Sequence, residues 1–460
     1  HEGAHRDTVD IPAHAFNRML MALYIGDLDD GDDPEAHADD KVVSAAYAWA
    51  RRVMRLIAER SGLINWEDHG VYKFSHRSFQ EYLAARWMAT GRDFRDKFEE
   101  RRDDENWRET VLLAIGYQCK VRGAPYDDTI DVLDELWPEQ LGTAAATYRA
   151  LLVGEAFVYQ LGVQRLGKRK AARELHTEVV TGLTALMQQP ALTAYLDDAK
   201  AQARTRLAAG LLLADLDALP PDLDDLVEIP DTDFRIAKYP VTNAQYRHFV
   251  DEGGYKAPPE GGRNRWWSEE GWKSRDKLGL SAPALWTNQT WNRSTQPVTG
   301  AMWYEAEAYC NWLTERWRRE GVIGAEEQVR LPTQAEWEQA ARHGDPAPAD
   351  AAIDYPWRGP FASWRANTKE SNLDQTTPVH MYPDGRTAGG VWDMSGNAWE
   401  WTCDLHSRDK DGDVWYWMKG GAYWRDAESA QASAAGRLDA RNWDVFYGFR
   451  VMVVPISRSA

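Results

Sequence analysis

Through the first half of the chain, apolar side chains return every three to four positions, the period of a helix with one buried face. Ala46, Trp49, Val53, Leu56 and Ile57 keep this spacing, and Gly62 stands where a left-handed cap would end the helix. A second helix is predicted to start at Ser75 as N-cap and to carry Phe79, Tyr82, Leu83 and Trp87 as one apolar stripe. Further helices are predicted around Trp107 to Cys119, Thr129 to Leu136, Thr143 to Gln160, Lys170 to Met187 and Leu192 to Ala214. None can bury its stripe alone, so a bundle or an irregular solenoid is expected.

The periodicity lapses at Leu219-Pro220-Pro221-Asp222, a stiff segment that ends helices. Of the 23 tryptophans, 5 lie before residue 227 and 18 after it, which implies two differently built halves. Gly, Asn and turn pairs mark the second half as irregular. Thr242 is placed to cap a helix that turns Tyr246 and Phe249 inward, and Thr333 with Glu336 reads as a capping box. Gly420-Gly421 permits positive φ or close backbone approach, while Trp399 and Trp401 occupy alternating positions of a strand-like run.

At 460 residues and 43% hydrophobic content, the chain is too long for one ordinary domain and can bury at least two cores. A formal net charge of -18, with no Lys/Arg-rich tract, argues against direct contact with nucleic acid. Cys119, Cys310 and Cys403 are few and far apart, which fits a reducing, cytoplasmic setting. No apolar run is long enough for a membrane partner, and the start at His1-Glu2-Gly3-Ala4-His5 reads as the interior of a longer chain. The acidic stretch from Asp27 to Asp40 lacks EF-hand spacing and reads as a solvated loop.

The segment Gly70-Val71-Tyr72-Lys73-Phe74-Ser75-His76-Arg77-Ser78-Phe79-Gln80-Glu81-Tyr82-Leu83-Ala84-Ala85 resembles the end of the winged-helix and helical region of NACHT-type STAND NTPases. That resemblance implies nucleotide-binding and effector modules upstream, missing from this chain, and ligand-sensing modules downstream. No G-x-x-x-x-G-K-[ST] occurs, so no phosphate cradle is present, and Gly167-Lys168-Arg169 is only a helix-flanking fragment. His76 and Glu81 read as stabilising a helix start rather than as catalytic groups.

The second half carries a longer series of motifs. These are Tyr239-Pro240-Val241-Thr242-Asn243, Gln296-Pro297-Val298-Thr299-Gly300, Leu331-Pro332-Thr333-Gln334-Ala335-Glu336-Trp337, Gly396-Asn397-Ala398-Trp399-Glu400-Trp401, Lys419-Gly420-Gly421-Ala422-Tyr423 and Gly448-Phe449-Arg450-Val451. In this order they resemble the formylglycine-generating-enzyme (sulfatase-modifying factor) family, of C-type-lectin fold. The fold class expected is therefore α+β, an N-terminal all-α helical region followed by a C-type-lectin-like domain with much irregular structure. Its divisions are expected at 1–90 (winged-helix-like end of a STAND module), 91–218 (helical bundle or repeat), 219–226 (linker) and 227–456 (lectin-fold domain).

The resemblance also sets expectations for chemistry. Sulfatase-activating members place two copper-binding cysteines after the glycine pair, and those positions are Arg425 and Ala430 here, so thiol oxidation is lost and no enzyme is expected. Cys403 reads as a packed hydrophobe. Iron-dependent sulfoxide synthases share the fold and draw a histidine triad from a helical domain, but His69, His76 and His176 form no such cluster in sequence, and His343, His380 and His406 lack zinc-like spacing. No cofactor is required. A structural calcium is implied at Asn367, Thr368, Asp374, Asp393, Gly396, Ala398 and Glu400, with turn capping by the same groups as the alternative.

The expected function is the ligand-recognition part of a STAND-type sensor, with a proteinaceous ligand; the alternative is a formylglycine-generating-type oxidoreductase. Between the glycine pair and Gly448, the segment Tyr423 to Tyr447 mixes aromatics, Arg and small residues without periodicity, as binding loops do. The binding residues expected there are Tyr423, Arg425, Asp426, Glu428, Arg437, Asp439, Arg441, Asn442, Trp443, Asp444, Phe446 and Tyr447. The placement resembles the variable proteins of diversity-generating retroelements, whose C-terminal lectin-fold stretch is mutagenised.

Overall fold

A computed structural model of the chain describes residues 11–25, 39–56, 64–67, 71–74, 76–90, 94–120, 126–161, 170–188, 199–259, 261–343, 354–410 and 413–456. The cap expected at Gly62, the N-cap at Ser75, His69, Gly167-Lys168-Arg169 and most of the acidic stretch lie outside these residues. The chain divides into two compact units, His1–Val132 and Leu133–Ala460.

In the first unit, β1 (Ile11–Pro12), β2 (Ile64–Glu67) and β3 (Val71–Phe74) form a small antiparallel sheet in the order β1-β3-β2. A reading as helices alone omits this sheet, because its strands have four residues or fewer and show no readable alternation. Helices α1 (Ala13–Ile25) and α2 (Asp40–Leu56) pack together, as do α3 (Arg77–Thr90) and α5 (Arg108–Lys120), with the short α4 (Phe94–Glu99) between them in sequence. The stripe expected on α3 faces the wrong way. Phe79, Tyr82, Leu83 and Trp87 are exposed, and the face that packs is Ala85, Met88 and Ala89. Small residues let α3 approach its neighbour closely, so the buried face is the less hydrophobic one by side-chain size.

The helix α6 (Tyr126–Leu136) spans the division between the units. Within the second unit, α7 (Ala144–Glu155) is capped by Thr143 and runs directly into a π-helical turn, Ala156–Leu161. Then come α8 (Lys170–Gln188) and α9 (Ala199–Asp215), which pack on each other and on α7. The Leu219–Asp222 segment, expected as a linker, lies inside this unit, and α9 is fastened to the tryptophan-rich part of the same unit. Arg206, itself buried, donates to the carbonyls of Met187, Trp364 and Met381 and stacks on Tyr382.

The tryptophan-rich part holds two four-stranded sheets. One is antiparallel, in the order β4 (Leu226–Glu228), β5 (Arg235–Ala237), β11 (Met452–Pro455), β6 (Glu327–Arg330). The other runs β10 (Tyr447–Phe449), β7 (Trp399–Arg408), β8 (Val414–Lys419), β9 (Ala435–Asp439), with β10 parallel to β7. Helices α10 (Asn243–Asp251), α11 (Glu269–Leu278), α12 (Trp303–Glu320) and α13 (Gln334–Ala341) complete it. The expected capping box of Thr333 with Glu336 forms on α13, and the expected Thr242 cap on α10 is extended to a box by Gln245. Tyr246 and Phe249 are fully buried beside Tyr309, Trp312 and Phe449 in the main core. The chain is α+β, with a helical N-terminal region and a C-type-lectin-like domain containing much irregular structure.

Candidate functional site

The site is built outward from a buried ion pair. Arg450, in the break between β10 and β11, is wholly buried and donates to both oxygens of Glu400 on β7, at 2.7 and 2.9 Å. Its remaining donors reach the carbonyls of Ala237 and Trp392, and Trp337 Nε1 donates to Glu400 at 2.6 Å. One charge pair thus ties both sheets, α13 and the 392 loop to one point, with its polar atoms satisfied. On β8, Lys419 has no exposed side-chain surface and meets Glu338 at 2.7 Å; burial pulls its pKa below the usual lysine range.

Past Lys419 the chain takes the two glycines at φ 92° and 76°. A Cβ at Gly421 would lie 2.9 Å from the Cα of Ala430, so the glycine is what lets the next loop fold back. Ala430, one of the two positions where the family resemblance seats a thiol, is buried in this contact, while Arg425, the other, is exposed with its guanidinium 3.8 Å from the Trp424 ring centroid. Cys310 and Cys403, the thiols of this domain, are not activated. Burial raises that of Cys310 well above its usual value and pushes that of Cys403 up to about 11.

The twelve expected binding residues do not form one surface. Arg425, Asp444, Phe446 and Tyr447 gather around Trp424: Phe446 lies 4.8 Å from Trp424 and 4.5 Å from Tyr447, ring centre to ring centre. Tyr423 is buried beneath, stacked on Trp291 at 5.5 Å, with its phenol pushed up to about 12 by burial and then by Asp444. Burial and Asp444 likewise raise Tyr447, which places that carboxylate beside both phenols. Trp424 and Trp443 remain 38% and 41% exposed, large for indoles in a domain that buries most of its others. Asn442 is exposed beside Trp443, and Glu428 is exposed on the preceding loop. Asp426 is exposed and accepts within its own loop from the Ser429 N–H and hydroxyl, which holds its pKa below the usual carboxylate range.

Arg437 and Asp439 belong elsewhere, on β9, at the opposite edge of the sheet from β10. Arg437 meets His406 at 3.0 Å, and Asp439 is buried and held by Arg441, which also pairs with Asp413. Trp291 is not legible in the sequence as part of the face, since it lies far upstream in a loop and nothing local marks its stacking on Tyr423.

Two of the residues named for calcium have their side-chain oxygens committed to protein partners. Glu400 has both oxygens committed to Arg450, and the Asn367 side-chain oxygen accepts from Ser371 while its carbonyl accepts from Asn397 N–H. Asp393 is half-buried, with one oxygen enclosed and unpartnered, and desolvation drives its pKa well above the carboxylate range. Among the described residues no three His, Cys, Asp or Glu side chains come together as a metal site. His176, already set aside as an iron ligand for want of a cluster in the sequence, faces Phe157 and is shifted toward its neutral form by burial.

Residues 207–454 match the sulfatase-modifying factor enzyme 1-like domain, more than half of the chain. The chain belongs to that family. Residues 28–88 match the winged helix-turn-helix domain C-terminal to NACHT. Hercynine oxygenase of Mycolicibacterium smegmatis is 37% identical over 210 residues, covering 42% of this chain and 43% of its own. The hercynine oxygenase of Mycobacterium tuberculosis is 32% identical over 258 residues, covering 49% and 53%. The chain spans about half the length of these relatives. Among solved structures, Treponema denticola variable protein 1 is similar at a TM-score of 0.33 and 16% identity, over 50% of this chain and 91% of its own.

These relatives correct one expectation. The sequence-based conclusion that the chain is no enzyme rests on Arg425 and Ala430, yet family members similar to it at 32% and 37% identity are named as oxygenases. The absence of two thiols therefore does not decide whether a sulfatase-modifying-factor-like domain carries an activity. Among the described residues, no helix is long and apolar enough to cross a membrane.

Proposed function

We propose that the sulfatase-modifying-factor-like domain is the ligand-recognition part of a STAND-type sensor and takes a proteinaceous ligand on the face around Trp424. The observation that carries this reading is the exposure of Trp424 with the Arg425 guanidinium over its ring and Phe446 and Tyr447 packed behind it, with Trp443 also exposed on the same C-terminal segment. Indole and guanidinium groups are the usual anchors of protein interfaces, and a rigid floor of Tyr423 on Trp291 lowers the ordering cost of binding. The match to a NACHT-associated winged helix supports a sensor context. The test is the triple variant Trp424→Ala, Arg425→Ala, Trp443→Ala in the full chain. A partner retained by the parent protein and identified by mass spectrometry is expected to be lost while the melting temperature holds. Retention of that partner by the folded variant would refute the face.

The named activity of the relatives favours a second reading, an oxidoreductase whose small substrate lies against the same face. Incubation with hercynine and dioxygen, followed by mass spectrometry, separates the two. An oxygenated product above a no-protein control assigns the activity; its absence leaves recognition as the role of the face.

A further inference from the structure

A cleft of about 460 Å³ plays no part in the Trp424 face. It opens between the π-helical turn Ala156–Leu161, the end of α9 and the loop around residues 286–294. Its frame is fixed. Arg293 meets both oxygens of Asp215 at 3.0 and 3.2 Å, Tyr159 reaches the same carboxylate at 3.4 Å, and Ser294 donates to the Ala214 carbonyl at 2.8 Å. A π-turn gives up regular i→i+4 hydrogen bonding and is found most often where a helix lines a functional site. Here it presents Val158 and Tyr159 to the cleft.

Among the described residues, three groups in this frame have charge or hydrogen-bonding capacity left unmet. Arg247 is exposed, lies over the Trp286 ring at 5.4 Å, and makes no ion pair among the described residues. Asp217, held in the left-handed region at φ 54°, is also exposed and makes no ion pair among the described residues. Asn292 spends its amide nitrogen on the Trp286 carbonyl and leaves its side-chain oxygen buried with no donor. An unpaired cation, an unpaired carboxylate and an orphaned acceptor thus line one cleft.

We propose that this cleft binds a free α-amino acid with an apolar side chain. Its carboxylate pairs with Arg247, its ammonium with Asp217 and the Asn292 oxygen, and its side chain lies against Val158 and Tyr159. A simple anion would meet Asp217 in a chain of net charge -18, and a simple cation would leave Arg247 uncompensated; a zwitterion satisfies both. The buried Asn292 oxygen adds selectivity, because leaving it unpartnered costs free energy that an ammonium donor recovers.

Calorimetry on the full chain tests this with three probes: L-phenylalanine, L-phenylalaninamide, which lacks the carboxylate, and 3-phenylpropionate, which lacks the ammonium. L-phenylalanine is expected to bind with a Kd below about 1 mM, and each truncated probe at least about tenfold more weakly. Arg247→Gln and Asp217→Asn should each cost a similar factor with unchanged melting temperature, since both side chains are exposed and asparagine tolerates positive φ. The Trp424 triple variant should bind L-phenylalanine normally, so this site and the proposed face fail separately. No binding of L-phenylalanine up to about 10 mM, equal binding of the truncated probes, or parent-like affinity in both single variants would overturn the proposal.

Discussion

The two units treat large aromatic side chains in opposite ways. In the first, Tyr47, Trp49, Phe79, Tyr82 and Trp87 are exposed and the buried helix positions are mostly alanine, methionine and aliphatic residues. In the second, Trp267, Trp312, Trp337 and Trp401 are wholly buried. The difference comes from the polar handle of the ring. Each of these four indoles donates its N–H to an internal acceptor, the Gly254 carbonyl, Glu252, Glu400 and the Ala301 carbonyl respectively. A domain with much irregular backbone has carbonyls to spare for this purpose, whereas a helix has already spent its own.

If the second unit is held by such satisfied polar contacts, breaking its central pair should do the most damage. Arg450→Ala strands a buried Glu400 and is expected to cost about 3–5 kcal/mol in chemical denaturation. The next effect is pH-dependent. Burial raises the Glu305 carboxyl to about 7, although it accepts from Tyr255 and from Met302 N–H. The folded chain therefore keeps this proton to higher pH than the unfolded chain does. The associated stability is complete below about pH 4.3 and is lost as pH rises through about 7, a change on the order of 3 kcal/mol. Glu305→Gln should remove that slope, and denaturation midpoints at pH 5 and pH 8, compared between parent and variant, read it directly.

Gly421→Ala should cost about 1–3 kcal/mol, because it combines positive φ with a clash against Ala430; a melting temperature equal to the parent's would show that the loop can yield. Removing the Thr242 cap with Thr242→Ala should cost about 1 kcal/mol by the same measurement. The smallest effect sharpens the contrast between units: Tyr82→Ala, on the exposed face of α3, should change stability by no more than about 0.5 kcal/mol.

Helix positions are legible in the sequence because periodicity and caps act locally: Lys170 to Met187 is expected and Lys170–Gln188 is found, and the Thr242 cap and the Thr333–Glu336 box both form. Which face of α3 packs is not legible, since an apolar stripe marks what prefers to be buried but not whether a partner approaches there. The binding segment shows the same limit. Its residues are contiguous in sequence, but a sheet order of β10-β7-β8-β9 sends Arg437 to one edge and Tyr447 to the other. Pairing across strands is set by long-range topology, which local composition does not encode.

The position of β11 has a consequence for synthesis. Met452–Pro455 is inserted between β5 and β6 and bonded on both sides, so the first sheet has a gap at its centre until these four residues arrive. A ribosome releases them long after Arg235–Ala237 and Glu327–Arg330 have emerged. The nascent domain must wait with two unpaired strand edges, a state that invites chaperone capture and makes truncation before Met452 a route to aggregation rather than to a smaller domain.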